Sequence, residues 1–137
     1  MMDDLLAKIR HWFTYHQPTD ETAPKYAAIR AAEDRCHEAI RLVEWEIGPD
    51  SAQCHKVINE DFERFAVAIA ERCPPGDDMN AALRCVRLAR NAMNEGIAQG
   101  NNPRHPHMNG SFLLIEAQRQ LTLARWQANS AIACGGR

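Results

Sequence analysis

Four breaks in an otherwise helical pattern of apolar residues restrict what this chain can fold into. They fall at 17–24, at Gly48-Pro49-Asp50-Ser51, at Pro74-Pro75-Gly76-Asp77-Asp78 and at 100–110, where proline, glycine and small polar residues interrupt regular structure. Between them apolar side chains recur at spacings of three and four, the repeat of a single helix face. The first stripe is Tyr26, Ile29, Cys36, Ile40, Val43 and Ile47, with Pro24 in the first turn, where its missing N–H is not needed. Asp50-Ser51 then introduces Cys54, Val57, Ile58, Phe62, Phe65 and Ile69, and the double proline stops them. A third stripe, Leu83, Val86, Met93 and Ile97, is capped by Asp77-Asp78 and ended by Gly100. A fourth runs from Ser111 to Cys134 through Leu114, Leu121, Ala128 and Ile132 and stops at Gly135-Gly136. Leu5 to Phe13 also reads as helical.

No alternating β-branched run marks a strand, and most connections are short enough for antiparallel neighbours. The expected fold is all-α: antiparallel helical hairpins forming a four-helix bundle with a short N-terminal helix. At 137 residues one helical domain spanning 1–137 is expected, since single cores occupy roughly 100 to 200 residues.

A weak repeat runs through the second half. Arg84, Leu88, Ala89, Arg90, Asn94, Ile97 and Ala98 recur at a constant offset as Arg119, Leu123, Ala124, Arg125, Asn129, Ile132 and Ala133. Amphipathic helices share a period by necessity, but amphipathicity requires neither the paired asparagines nor the Leu-Ala-Arg triplet.

The composition, 45% hydrophobic and 25% charged, is that of a folding chain. No apolar stretch reaches the roughly 18 residues of a membrane span, and the acidic start is wrong for a secretory signal, so the expected location is the cytoplasm. A net charge of −2 argues against a nucleic-acid polymer as partner. The charge is uneven, however. Residues 1–78 hold nine Lys/Arg against sixteen Asp/Glu, whereas residues 79–137 hold seven arginines and only Glu95 and Glu116. Arginine is the side chain best shaped for bidentate phosphate contacts.

Signatures of catalysis are missing. Five widely spaced cysteines without a C-x-x-C pair read as reduced, mostly buried thiols. His105 and His107 form an H-x-H with no further ligands nearby in sequence, so neither a metal nor another cofactor is expected. Cys36-His37 and Cys54-His55 are adjacent, and neighbouring side chains on a helix diverge. The nucleophile, metalloprotease and phosphate-loop motifs are all lacking. The expectation is a protein that binds and does not convert.

The segment His11-Trp12-Phe13-Thr14-Tyr15-His16-Gln17-Pro18 gathers three aromatic residues and two histidines in a chain only 7% aromatic. Trp12 and Phe13 read as a flap over the bundle end. Tyr15, beside the turn, is placed where its ring could stack on a nucleobase, with Arg30 within reach of the same group.

This run, with Lys25-Tyr26-Ala27-Ala28-Ile29-Arg30 and the ending Trp126-Gln127-Ala128-Asn129-Ser130-Ala131-Ile132-Ala133, resembles the helical hairpin of bacteriophage anti-CBASS and anti-Thoeris sponges. The resemblance implies a non-enzymatic homo-oligomer that sequesters cyclic di- or trinucleotides, or cyclic ADP-ribose isomers, between protomers in the host cytoplasm, antagonising bacterial anti-phage defence. Residue by residue it assigns base stacking to Tyr15 of the Tyr15-His16 pair and phosphate contact to Arg30; Arg84, Arg125 and Asn129 are further candidate ligand contacts. The middle of the chain departs from the family pattern: a hairpin at 51–99 lies between helices at 22–47 and 111–134, as in a fused pseudo-dimer.

Two other readings stand beside this one. A helical protein-interaction or assembly module would use Trp12, Phe13 and Tyr15 as its anchor. A hydrolase or deaminase would need the scattered histidines and cysteines to converge.

Overall fold

The computed structural model describes residues 2–8, 19–43, 51–99 and 111–135. Among them are five helices and no strand: α1 (2–8), α2 (Ala23–Leu42), α3 (Ser51–Arg72), α4 (Asp77–Gln99) and α5 (Ser111–Cys134). Ile47, His105 and His107 lie outside the described residues.

Local chemistry sets the helix ends. Ahead of α2, Thr19 and Thr22 exchange hydrogen bonds, each side-chain oxygen accepting from the other residue's backbone N–H at 3.1 and 2.8 Å. This satisfies donors that a helix start leaves without partners. Pro24 then falls in the first turn. α3 gives way at Cys73 to a turn of four residues, in which the Gly76 carbonyl accepts from Asn80 at 3.0 Å. Asp77 and Asp78 sit within the first turn of α4, where carboxylates favour the positive end of the helix dipole. After α5, Gly135 takes φ +61, the left-handed conformation that commonly closes a helix and that glycine adopts without strain.

The long helices contact one another in a ring, α2 to α3 to α4 to α5 and back to α2, so α2 and α4 are diagonal. Each neighbouring pair runs antiparallel. Cys36 donates to the Asp61 carbonyl while Lys25 lies close enough to Cys73 to act on its thiol. His55 meets Asn94 across a hairpin closed by a tight turn. Asp78 pairs with Ser130 while Cys85 feels Arg119, and Glu33 pairs with Arg125 while Tyr26 feels Cys134.

One core fills the centre. The expected stripes supply Ile29, Cys36, Ile40, Ile58, Phe62, Phe65, Ile69, Val86, Met93, Leu121, Ala128 and Ile132, all buried; Tyr26, Val43, Val57, Leu83, Ile97 and Leu114 pack against them from the edge. Between α4 and α5, the pair in most extensive contact, small residues prevail. Ala82, Val86, Ala89, Met93 and Gly96 on α4, and Ala117, Leu121, Ala124, Ala128 and Ala131 on α5, are buried at alternating spacings of four and three, a heptad seam that small side chains make narrow. The repeat offset of 35 residues is five heptads, so it carries Ala82 onto Ala117 and Ala89 onto Ala124.

Candidate functional site

Among the residues expected to contact a ligand, Tyr15 and His16 lie outside the described residues. Arg30 is on the outward side of α2, its side chain 59% exposed and its Nε 3.3 Å from Asp34 one turn on. Such an exposed i,i+4 pair contributes little stability and yields readily to another anion. Arg84 is exposed on α4. Since α2 and α4 are diagonal, Arg30 and Arg84 of one chain do not face a common pocket.

Arg125 and Asn129 belong to the interior instead. Glu33 is only 2% exposed, and its two oxygens are both engaged: Arg125 Nε donates to Oε1, and His37 Nε2 sits 3.0 Å from Oε2. Burial by itself pushes the Glu33 carboxyl up, but the His37 hydrogen bond and the Arg125 guanidinium outweigh it and hold the group below its ordinary range. The carboxylate is therefore the form that fits. Arg125 is largely covered and committed to Glu33, and any ligand that recruited it would leave Glu33 buried with one partner fewer. One turn further along α5, Asn129 Oδ1 is buried and accepts no hydrogen bond from the described residues.

Asn94, its repeat counterpart, is partnered through both its amide oxygen and its amide nitrogen. It accepts from His55 Nδ1 at 2.7 Å and donates to Asn59 at 3.3 Å, tying α4 to α3. Sequence reasoning did not single out the Glu33–Arg125–His37 cluster. A signal existed: Glu33 lies four residues after Ile29 and three before Cys36, in phase with the apolar stripe.

The outward side of α4 and α5 is chemically distinct. Arg84 and Arg87 are exposed and form no ion pair among the described residues, and Arg119 shares Glu116 at 2.7 Å. Arg119 and Gln120 together hold the Glu116 carboxyl down at about 2. On the same side Leu88 is 44%, Trp126 57% and Ile115 66% exposed.

Among the described residues no group of three or more His, Cys, Asp or Glu side chains is placed to hold a metal, and no helix is long and apolar enough to cross a membrane. The chain matches no known family model, no characterised protein and no solved structure.

Proposed function

We propose that this protein binds and sequesters a cyclic oligonucleotide signal in the cytoplasm without altering it, with the 11–18 segment and α2 as the recognition element. The observation that carries this reading is the placement of Arg30. Its guanidinium is solvent-accessible on α2, and the helix begins just after the segment that holds Tyr15 and His16. Four chain steps from Tyr15 to Thr19 span at most about 14 Å, and the helix rises about 10 Å from Ala23 to Arg30, so covalent geometry lets a base stacked on Tyr15 present its phosphate to Arg30. Stacking contributes about 1–3 kcal/mol per base, and the charge-assisted phosphate contact adds affinity. Arg125 is committed to Glu33 and is left out of the pocket. Arg84, being diagonal to Arg30, reaches such a ligand only from a neighbouring copy, in keeping with a pocket shared between protomers.

A second reading is favoured by one observation: Ile115, Leu88 and Trp126 are exposed apolar side chains on one side of the bundle, as in a protein-interaction module.

Calorimetry against cyclic dinucleotides, cyclic trinucleotides and cyclic ADP-ribose isomers, followed by chromatography of the released ligand, separates the readings. Sequestration requires tight binding, intact ligand on release, and loss of binding in Tyr15→Ala and Arg30→Ala without unfolding. An altered ligand identifies an enzyme. No binding across the panel leaves the interaction module.

A further inference from the structure

Helices shorter than about 12 residues are marginal in water on their own, so a segment as short as α1 needs a surface to rest on. Among the described residues it has none: residues 2–8 are all exposed. Met2, Leu5 and Leu6 share one helix face, at i, i+3 and i+4, and are 72%, 55% and 42% exposed. Asp3 borders that face, and Asp4 lies on the opposite side of the helix.

The outward side of α4 and α5 is its chemical complement. The Asp78–Ser130 hydrogen bond and the nearness of Cys85 to Arg119 fix the register of the two helices. In that register Arg84 lies across from the stretch between Arg119 and Trp126, and Leu88 across from the stretch near Ile115. Exposed apolar groups are thus interspersed with Arg84, which forms no ion pair among the described residues, and Arg119, which is paired with Glu116.

We infer that α1 of one copy docks on the α4–α5 face of a second copy, which returns its own α1, closing an arm-exchanged dimer about a two-fold axis. Met2, Leu5 and Leu6 cover Leu88 and Trp126, while Asp3 approaches Arg84. Two α4–α5 faces set directly against each other would oppose arginine to arginine, which is unfavourable. The acidic arm avoids that and buries both unpartnered surfaces twice within a closed symmetry. The eleven steps from Lys8 to Thr19 reach up to about 36 Å, enough to cross to a neighbour.

The test is sedimentation velocity on the full chain without nucleotide, over a wide range of concentration and salt, so its outcome is independent of the ligand reading above. The expected result is a dimer that weakens with salt. Leu5→Asp with Leu6→Asp, or Trp126→Glu alone, weakens it by about tenfold or more, with no loss of helix content beyond α1 and the four long helices still folding cooperatively. Asp3→Arg also weakens it, and adding Arg84→Glu to the same chain restores it. A monomer at every concentration, including one with α1 docked on its own chain, overturns the proposal. So does a dimer whose affinity is untouched by the α1 variants.

Discussion

Glu33 and Arg125, 92 residues apart in the chain, meet inside the bundle and fasten α2 to α5. His37 occupies the second oxygen of Glu33 from the next turn of α2. Among the described residues it is the ion pair that joins two helices of the ring.

Removing one member of this pair strands the other. Arg125→Met leaves a buried carboxylate with His37 alone, and urea unfolding is expected to show a loss of about 3–5 kcal/mol. The double variant Glu33→Leu with Arg125→Met strands neither charge and recovers most of that loss. Equal destabilisation in the single and double variants would mean that the pair holds the fold by its packing volume and not by its charge.

The same pair makes stability sensitive to acid. Because the Glu33 carboxyl is held below its ordinary 4.5 in the folded state, its contribution is fully present above that value. It is lost as the pH falls through the folded-state pKa, since the unfolded chain takes up the proton first. Urea midpoints between pH 6 and pH 3 should therefore fall more steeply for the natural chain than for Glu33→Gln, which has no proton to gain there.

The alanine seam leaves no room between α4 and α5. Ala124→Leu pushes three extra carbons into a fully buried site, and a cost of about 1–3 kcal/mol or more is expected in thermal unfolding. Leu88→Ala, on the outward side of the same hairpin, changes stability by less than about 0.5 kcal/mol.

Thiol reactivity should sort by burial. Burial pushes the Cys73 thiol up to about 11, despite the opposing pull of Lys25, and raises Cys36 still further, with Asp61 and Glu33 adding to the effect. Cys54 is also buried. A thiol reagent near neutral pH is expected to modify Cys85 and Cys134, which are only half-buried, well before the other three. Mass spectrometry of the partly labelled chain reads the order directly.

Much of the bundle was legible because large apolar residues repeat with the helical period. Ile58, Phe62, Phe65 and Ile69 define the inner face of α3, and each is buried. The α4–α5 seam was harder to read, since Ala82, Ala89, Ala117 and Ala124 carry a weak hydrophobic signal while their small size decides how closely the backbones approach. The candidate contacts fared differently for a related reason. Sequence order does not reveal which helices are neighbours, so nothing local distinguished Arg125, turned inward to Glu33, from Arg84, turned outward on α4. Side-chain type identified arginines suited to phosphate; the ring order of the helices decided which of them remained accessible.

Ring closure through α5 also orders events during synthesis. When α2, α3 and α4 have left the ribosome, Glu33 already belongs to an inward-facing stripe, but the guanidinium that neutralises it is still to be made. The nascent chain must keep that carboxylate hydrated, with α2 held away from its final seat. The ion pair that fastens α2 is thus completed only when α5 arrives.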